Sequence, residues 1–509
     1  MKTKRLTLNF HDYKYFPYEE ELAVREAVKL LKPRSIVREN NHLELKGNFH
    51  LHDVRRLVYF NSGCAAGSSL ISLQSELEGS DIVENGRNKR RQSTRYSVHG
   101  LHEYKGKFNP QIVRGILNIL GVPLTATVFD PFCGSGTTLL ECTHVGMTSV
   151  GVDRNPLAVF MANAKLQALA TPVSHLERLL SRLLAEYQVG EACFDVSEEE
   201  APRREYLRRW FNEDTMLCLE KLRYCIEKVA GDHSPIFFAV ASNLLRDYSL
   251  QEPADLRIRR RKSPLPTIPF IRTYETSAVS LLNKVKTAQS ILGVLERKSS
   301  AYLADSRSID LRALNLGKTF RFDVAITSPP YATALPYIDT QRLSLVWLRL
   351  CSPKSLSFLE ADLIGSRETK KAISKHQMLH AMLNNSAELP EEHAIFCKNL
   401  QDSLSDVDGF RRRAVPVLLY RYFSDMQAVF RETQGLLRKR GQFALVVGRN
   451  QTVLGGTRFL IDTPSLLASL ASYNGWVTEE TVGLQTYHRY GLHQRNSVNA
   501  EDLIILRRS

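Results

Sequence analysis

The chain has 509 residues, of which 43% are hydrophobic and 24% charged, and 68 Lys and Arg against 54 Asp and Glu give a net charge of +14. That length exceeds one ordinary core, so two or three domains, or one domain with large insertions, are expected. No apolar run approaches the roughly 20 residues that cross a bilayer, and the basic start has no long apolar stretch behind it, which disfavours membrane insertion and secretion and suggests a cytoplasmic location.

In chain order, residues 1–95 carry strand-like runs at 6–10 and 42–46 and an amphipathic helix at 19–31, and are expected to form an N-terminal domain whose role no motif names. Residues 96–166 alternate helix and strand, the pattern of a parallel α/β sheet. Residues 167–298 are mostly helical (174–187, 203–229, 234–247 and 277–295) and interrupt that sheet. Strand signals return at 301–305 and 321–327, within 299–331, and a second insertion, predominantly helical and polar, fills 332–414. Further strands at 442–447 and 502–506 lie in the closing segment, 415–509. One α/β domain is thus expected from separated pieces.

Eight cysteines occur, none in Cys-x-x-Cys spacing, so neither a zinc ribbon nor a redox dithiol is suggested. His50, His52, His99 and His102 lack Cys or carboxylate partners at ligand spacing and read as surface or packing residues, so no metal is expected. Basic clusters stand at 87–91, 257–262, 411–413 and 438–440; with the net charge they favour a polyanionic partner, nucleic acid ahead of a membrane surface.

The stretch 125–156 is the most informative. Residues 125–130 read as a buried strand, Gly134-Ser-Gly136 as a tight loop, 137–144 as a helix, and 148–153 as a second strand ending in Asp153. Glycines let the backbone approach a ligand at the carboxyl end of the first strand, where open α/β sheets bind cofactors. Leu139 stands where a dinucleotide fingerprint needs its third glycine, and no Gly-Lys-Ser/Thr follows. A loop without phosphate logic but with an acid for the ribose hydroxyls suits S-adenosylmethionine. A plain turn with Asp153 capping the helix at Pro156 is the competing reading; strand, loop, helix, strand and acid in order argue against it. Cys133 reads as a buried space-filling thiol, and no Pro-Cys dipeptide occurs to support attack on carbon 5 of cytosine.

Thr327-Ser-Pro-Pro-Tyr331 ends another apolar strand, and its two prolines fix the backbone there. Together these residues resemble the amino-group DNA methyltransferases, which methylate N4 of cytosine or N6 of adenine. Residues 130–138 are similar to their first cofactor motif, 151–156 to the second, 304–311 to the third, and 327–331 to the catalytic fourth. Residues 102–113 resemble the segment that closes over the methionine end of the cofactor, 430–448 the fifth strand with its helix, and the last forty residues a terminal antiparallel hairpin. The long separation of Asp153 from Asp305 and the first 90 residues depart from the pattern.

The resemblance implies a Rossmann-like, mostly parallel sheet with an N-terminal appendage and two largely helical insertions. It implies S-adenosylmethionine held by Asp130, Phe132, Gly134, Gly136 and Thr137, with Asp153 on the ribose and Asp305 on the adenine. Tyr104, Lys107 and Phe108 would close that pocket. Ser328 Oγ and the Pro329 carbonyl would accept hydrogen bonds from the exocyclic amino group, held by Pro330, while Tyr331 stacks on a base rotated out of the duplex. Ser-Pro-Pro-Tyr is the form associated with N4 of cytosine. The first insertion, with Arg257, Arg259, Arg260, Arg261 and Lys262, is the candidate for target recognition on double-stranded DNA, and a cognate restriction endonuclease or defence-system subunit is an implied partner. Alternatives are N6-adenine transfer, an RNA amino-group methyltransferase, and a non-catalytic nucleic-acid-binding subunit.

Overall fold

The computed structural model describes residues 4–79, 93–190, 197–332, 337–368, 375–485 and 497–509. Strands β1 (Lys4–Phe10), β2 (Ser35–Arg38), β3 (His42–Gly47), β4 (Phe60–Ala65) and β5 (Ser68–Ile71) form an antiparallel sheet in the order β2-β3-β1-β4-β5. Alternation puts Leu6, Leu8, Leu43 and Leu45 on one face, all fully buried. Helix α1 (Pro17–Leu31) belongs to the same apolar cluster through Leu22, Ala23 and Ala27, and α2 (Leu73–Glu78) follows β5.

The second sheet takes β6 (Thr127–Asp130), β7 (Thr148–Asp153), β8 (Ser299–Leu303), β9 (Phe322–Thr327), β10 (Leu437–Leu454), β11 (Thr457–Ile461), β12 (Trp476–Gln485) and β13 (Ser497–Arg508). Its order is β12-β13-β10-β9-β6-β7-β8, with β11 paired to β10. Strands β8, β7, β6, β9 and β10 are parallel, and β13 runs antiparallel to both β10 and β12. This is the expected mostly parallel, Rossmann-like sheet with a terminal antiparallel hairpin. The chain leaves β6 for β7 on one side and returns to β9 on the other, so the carboxyl ends of β6 and β9 flank a topological switch point.

Alternation within these strands separates two cores. Phe129, Ala325, Phe443 and Leu445 face a cluster shared with the later helices, whereas Val128, Val324, Ile326, Ala444 and Val446 join the cluster of the N-terminal sheet. The N-terminal segment, silent in sequence, therefore covers one face of the main sheet. Helix α3 (Pro110–Ile119) carries Asn118, which donates to Glu26 of α1 at 2.9 Å. The same buried carboxylate accepts from the Val58 and Tyr59 amides at 3.0 and 2.9 Å, and burial pushes it up to about 7.

Beside β7 and β8, helices α4 (Thr137–His144) and α5 (Pro156–Ala170) share one apolar cluster with the first insertion. That insertion holds α6 (Val173–Val189), α7 (Ala201–Arg208), α8 (Glu213–Ala230), α9 (Ser234–Leu244) and α10 (Phe270–Leu292). The helical run expected over 203–229 breaks at Trp210-Phe-Asn212, where Asn212 Oδ1 accepts from the Thr215 amide at 2.9 Å and starts α8. Among the described residues no helix is long and apolar enough to cross a membrane.

The second insertion opens with α11 (Tyr337–Trp347), which is not a polar appendage. Trp347 is fully buried, its ring edge-on to Phe238 at 5.6 Å, and its carbonyl accepts from Arg223 at 2.6 Å. Then come α12 (Leu356–Asp362), α13 (Lys375–Leu383), α14 (Glu391–Asp402) and the single turn α15 (Phe410–Arg413). Helices α16 (Val415–Leu436) and α17 (Thr463–Tyr473), with α14, cover the Phe129 face.

Glu141 of α4 is fully buried and gathers its partners from the turn at residues 96–99 and from α3. Tyr96 Oη donates to it at 2.6 Å, Arg114 Nε at 2.7 Å, and His99 Nε2 lies at 2.7 Å. Arg114 and the neighbouring histidines hold this carboxyl well below its usual range against the opposing effect of burial. His99, Glu141 and His144 bring ligand atoms within 4.8 Å of one another, but the Arg114 guanidinium on the same carboxylate makes the group an ion-paired network. His99, read in sequence as lacking a carboxylate partner, has one in Glu141, which the fold brings from 42 positions away. His102 is buried against Ser242 and the Glu103 carbonyl, and His50 and His52 are exposed. Glu141→Ala leaves a buried guanidinium uncompensated and should lower stability by about 3–5 kcal/mol in guanidinium-chloride unfolding, with Glu141→Ala/Arg114→Met recovering part of the loss.

Candidate active site

Strand β6 delivers Asp130 to the switch point, and the chain turns through Pro131 to Gly136 into α4. Two positive-φ glycines make the turn: Gly134 at 49° and Gly136 at 82°. A Cβ on Gly136 would lie 2.7 Å from that of Ala162 on α5, so loop and helix meet with no room for a side chain. Asp153, at the end of β7, accepts from the Gly134 amide at 2.9 Å and the Asn155 amide at 2.8 Å. The cap of α5 is Asn155, whose Oδ1 accepts from the Leu157 amide at 3.0 Å, so Asp153 is not the capping residue that the turn reading expected, and its carboxylate lines the cleft beside the glycine loop. Burial pushes it up to about 6.

From the other side of the switch point β9 ends in Thr327, whose Oγ1 donates to Asp130 at 2.6 Å. Ser328, Pro329, Pro330 and Tyr331 follow directly and open into the same cavity as Asp130, Gly134 and Asp153, with a volume of about 2340 Å³. Asn450 of β10 donates to the Ala332 carbonyl at 2.9 Å, and a Cβ on Gly365, before which α12 ends, would come within 2.6 Å of the Tyr331 carbonyl. The Tyr331 hydroxyl donates to Glu501 at 2.5 Å, and its ring rests against Gly448, where a Cβ would lie 3.3 Å away.

Tyr104 closes on the loop, its ring edge 3.2 Å from where a Gly134 Cβ would stand. Phe108, Phe132 and Thr137 line the cavity as well. Lys107 also reaches it, yet its ammonium donates to the Thr94 carbonyl at 2.7 Å and the His99 carbonyl at 3.3 Å, and burial lowers it to about 8. Asp305 lines the cavity with both oxygens on Arg307, at 2.9 and 2.7 Å, and its backbone makes the turn to Ser308. Burial works against ionisation there, but the Arg307 contacts hold the carboxyl below its usual range.

The basic run 257–262 divides. Arg257 and Arg259 line the cavity, Arg259 pairing with Asp255 at 3.0 Å. Arg260 lies over the Trp210 ring at 4.8 Å, Arg261 donates to the Asp247, Ser249 and Pro264 carbonyls, and the Lys262 amide donates to Glu252 at 3.0 Å. The run at 87–91 lies outside the described residues. Arg411, Arg412 and Arg413, 150 positions further along from Arg261 to Arg411, also line the cavity and were noticed in sequence only as a charge cluster.

Sequence reasoning missed Lys165. It is fully buried on α5, donates to the Ser135 carbonyl at 2.9 Å behind the glycine loop, and is pushed well below its usual range by burial. The signal was available: it is the lone charged residue of α5. It missed Asp362 too, which pairs with Arg154 at 2.5 Å and so ties α12 to the end of β7.

The model of the family described as DNA methylase matches residues 44–164. Type II methyltransferase M.MvaI of Kocuria varians is 24% identical over 385 residues, 70% of this chain and 78% of that protein. Both likenesses support the amino-methyltransferase family. Type II methyltransferase M.BsoBI of Geobacillus stearothermophilus is 24% identical over 298 residues, 55% of this chain and 58% of its own length. A tRNA (guanine(10)-N2)-dimethyltransferase of Methanothermobacter thermautotrophicus is 38% identical over 50 residues, 10% of this chain and 15% of that protein.

The cofactor is S-adenosylmethionine, and the residues fit it. Asp130 and Asp153 place two carboxyls beside the glycine loop, a setting that repels a phosphate chain and suits a sulfonium, while the charge of Asp305 is taken up by Arg307. Asp130 is raised to about 6 by burial, against the bonds it accepts from Thr327 and the Phe132 amide. Its folded value exceeds the unfolded 3.8, so its contribution to stability is full below about pH 4 and is lost as pH rises through about 6. Thr327→Val removes a bond to the ionised form and should move that titration higher, read by carbon-13 NMR of aspartate-labelled protein.

Proposed function

We propose that this chain methylates an exocyclic amino nitrogen of a base in double-stranded DNA, with N4 of cytosine as the target. The observation that carries the reading is the Asp130–Thr327 junction, which sets the glycine loop and Ser-Pro-Pro-Tyr side by side on one cavity. The family description and the two Type II methyltransferases support DNA. Ser328, where adenine-directed relatives carry Asp or Asn, supports cytosine. The short match to a tRNA methyltransferase keeps RNA as the second reading.

On this reading Asp153 takes the ribose hydroxyls, Asp305 the adenine edge, and Asp130, Phe132, Gly134, Gly136 and Thr137 shape the floor. Tyr104 and Phe108 close the pocket, with Lys107 bracing that segment through its own carbonyl contacts. When bound, S-adenosylmethionine supplies an electrophilic methyl group. An exocyclic amino group is a poor nucleophile because its lone pair is delocalised into the ring. Ser328 Oγ and the Pro329 carbonyl accept its hydrogen bonds and favour the pyramidal geometry of attack, by orientation and preorganised polarity. Pro330 holds that backbone, and Tyr331 leaves Glu501 to stack on the flipped base. Arg257 and Arg259 contact phosphates, backed by Arg260, Arg261 and Lys262, which hold their loop. A cognate restriction endonuclease is the partner that such an activity implies.

Incubating unmodified DNA with the chain and S-adenosylmethionine, then separating nucleosides by mass spectrometry, should give N4-methylcytosine. N6-methyladenine alone would reverse the base assignment, and methyl groups on RNA alone would promote the second reading.

Asp153 and Ser328 act in different steps, so their variants should separate. Asp153→Ala removes charge-assisted bonds worth roughly 1.5–3 kcal/mol and should weaken S-adenosylhomocysteine binding about ten- to a hundred-fold by calorimetry. Because its carboxyl titrates near 6, wild-type affinity should fall as pH drops below that value while the variant stays flat. Ser328→Ala should leave that affinity alone and slow single-turnover methyl transfer about a hundred-fold. Lost binding with an intact rate in Ser328→Ala would leave the prolines as a turn only.

A further inference from the structure

Resting on the DNA reading above, we propose that Phe410 enters the duplex where the target base leaves it, with Arg411, Arg412 and Arg413 gripping the flanking phosphates. The large exposed aromatics among the described residues are Phe358, Phe410 and Tyr473, and of these Phe410 alone lines the catalytic cavity. It is 74% exposed, in a helical turn that buries none of its residues, so folding gives no account of an apolar ring there. Arg411 sits over the ring at 5.5 Å.

The turn is nonetheless firmly placed. Asp408, just ahead of it, is almost fully buried and accepts from the Ser405 amide at 3.0 Å and the Gly455 amide at 2.8 Å. Arg413 Nε donates back to the Asp408 carbonyl at 2.8 Å. Gly455 has φ of 54° in the turn between β10 and β11, against the Ser403 carbonyl, where a side chain would clash. Strand β10 is the same one whose Asn450 holds Ala332, next to Tyr331. One strand therefore carries both the catalytic loop and the Phe410 turn, which fixes the distance between pocket and ring.

Arg257 and Arg259 stand on the cavity from the first insertion, so basic groups reach it from two separate segments, as a polyanion requires. Rotating a base out leaves an unstacked gap and an orphaned partner base. An aromatic face in that gap restores stacking without reading sequence, because every base has a π face.

The test uses duplexes containing a site that sequencing finds modified by the wild-type chain, with the target either paired or opposite an abasic position, where less stacking and pairing must be broken. Phe410→Ala should slow single-turnover transfer about ten-fold on the paired duplex and run close to wild type on the abasic one, while Phe410→Trp stays near wild type on both. Its melting temperature should match wild type, since the ring is exposed. Phe410→Ala as fast as wild type on the paired duplex, or equally slow on both duplexes, overturns the proposal with the methyltransferase reading intact. If Phe410→Ala does not fold, Phe410→Ser and Phe410→Leu decide: Leu faster than Ser on the paired duplex alone supports it, and equal rates overturn it. A wild-type chain that transfers no methyl group to any DNA overturns both.

Discussion

The hydrogen bond from Thr327 to Asp130 joins residues 197 positions apart in the chain and brings the two loops of the site together. A second clamp secures the other end of the same strand pair: Asp323 accepts from the Thr127 amide at 2.8 Å and pairs with Arg438 at 2.6 Å. Between them Val128 faces Val324 and Phe129 faces Ala325. A slip of one residue would turn Phe129 towards the N-terminal sheet and Val128 towards α16, exchanging two cores at once. Register is therefore fixed twice, by polar ends and by packing, and the glycine loop and Ser328 inherit their separation from it.

The added segments reinforce that junction. The N-terminal sheet is tied in by Glu26 and Asn118, and by Arg25 of α1, which pairs with Glu480 of β12 at 2.7 Å. On the opposite flank Arg307 joins Asp305 to Asp425 of α16 at 2.9 Å and to Asp362 of α12 at 3.6 Å. Isolated surface pairs contribute little, but a half-buried arginine shared by three carboxylates from three segments is a geometric constraint on all of them. The second insertion is in this way indexed to the third motif and the end of β7.

Much of the central fold was legible because short-range signals and long-range packing agree there. The helix expected over 137–144 and the strand over 148–153 occur with those bounds, since glycine, periodicity and an acidic strand end all point the same way. Asp153 and the glycine loop were found for that reason. The role of residues 4–79 was not legible, because the face they cover is made of Val324, Ile326 and Ala444, hundreds of positions away. The break at Asn212 was missed because apolar spacing continues across it, and only the capping bond reveals a new helix. The basic run at 257–262 read as one patch, but the bridge between Gln251 and Arg260 folds it back, so two of its side chains face the cleft and the next ones hold the loop.

Charge along the cavity is paired locally, in a way that composition hides. Arg307 takes up Asp305, Arg154 pairs with Asp362 next to Asp153, Arg259 pairs with Asp255, and Arg413 lies against Asp406, so acidic and basic groups alternate along the wall. Such neighbours stand well inside the roughly 8 Å screening length at physiological ionic strength and offset one another. What remains beside the glycine loop is the pair of carboxyls of Asp130 and Asp153, whose hydrogen-bond partners among the described residues include no guanidinium. They make that end of the cavity a setting for a positively charged group rather than for a phosphate chain.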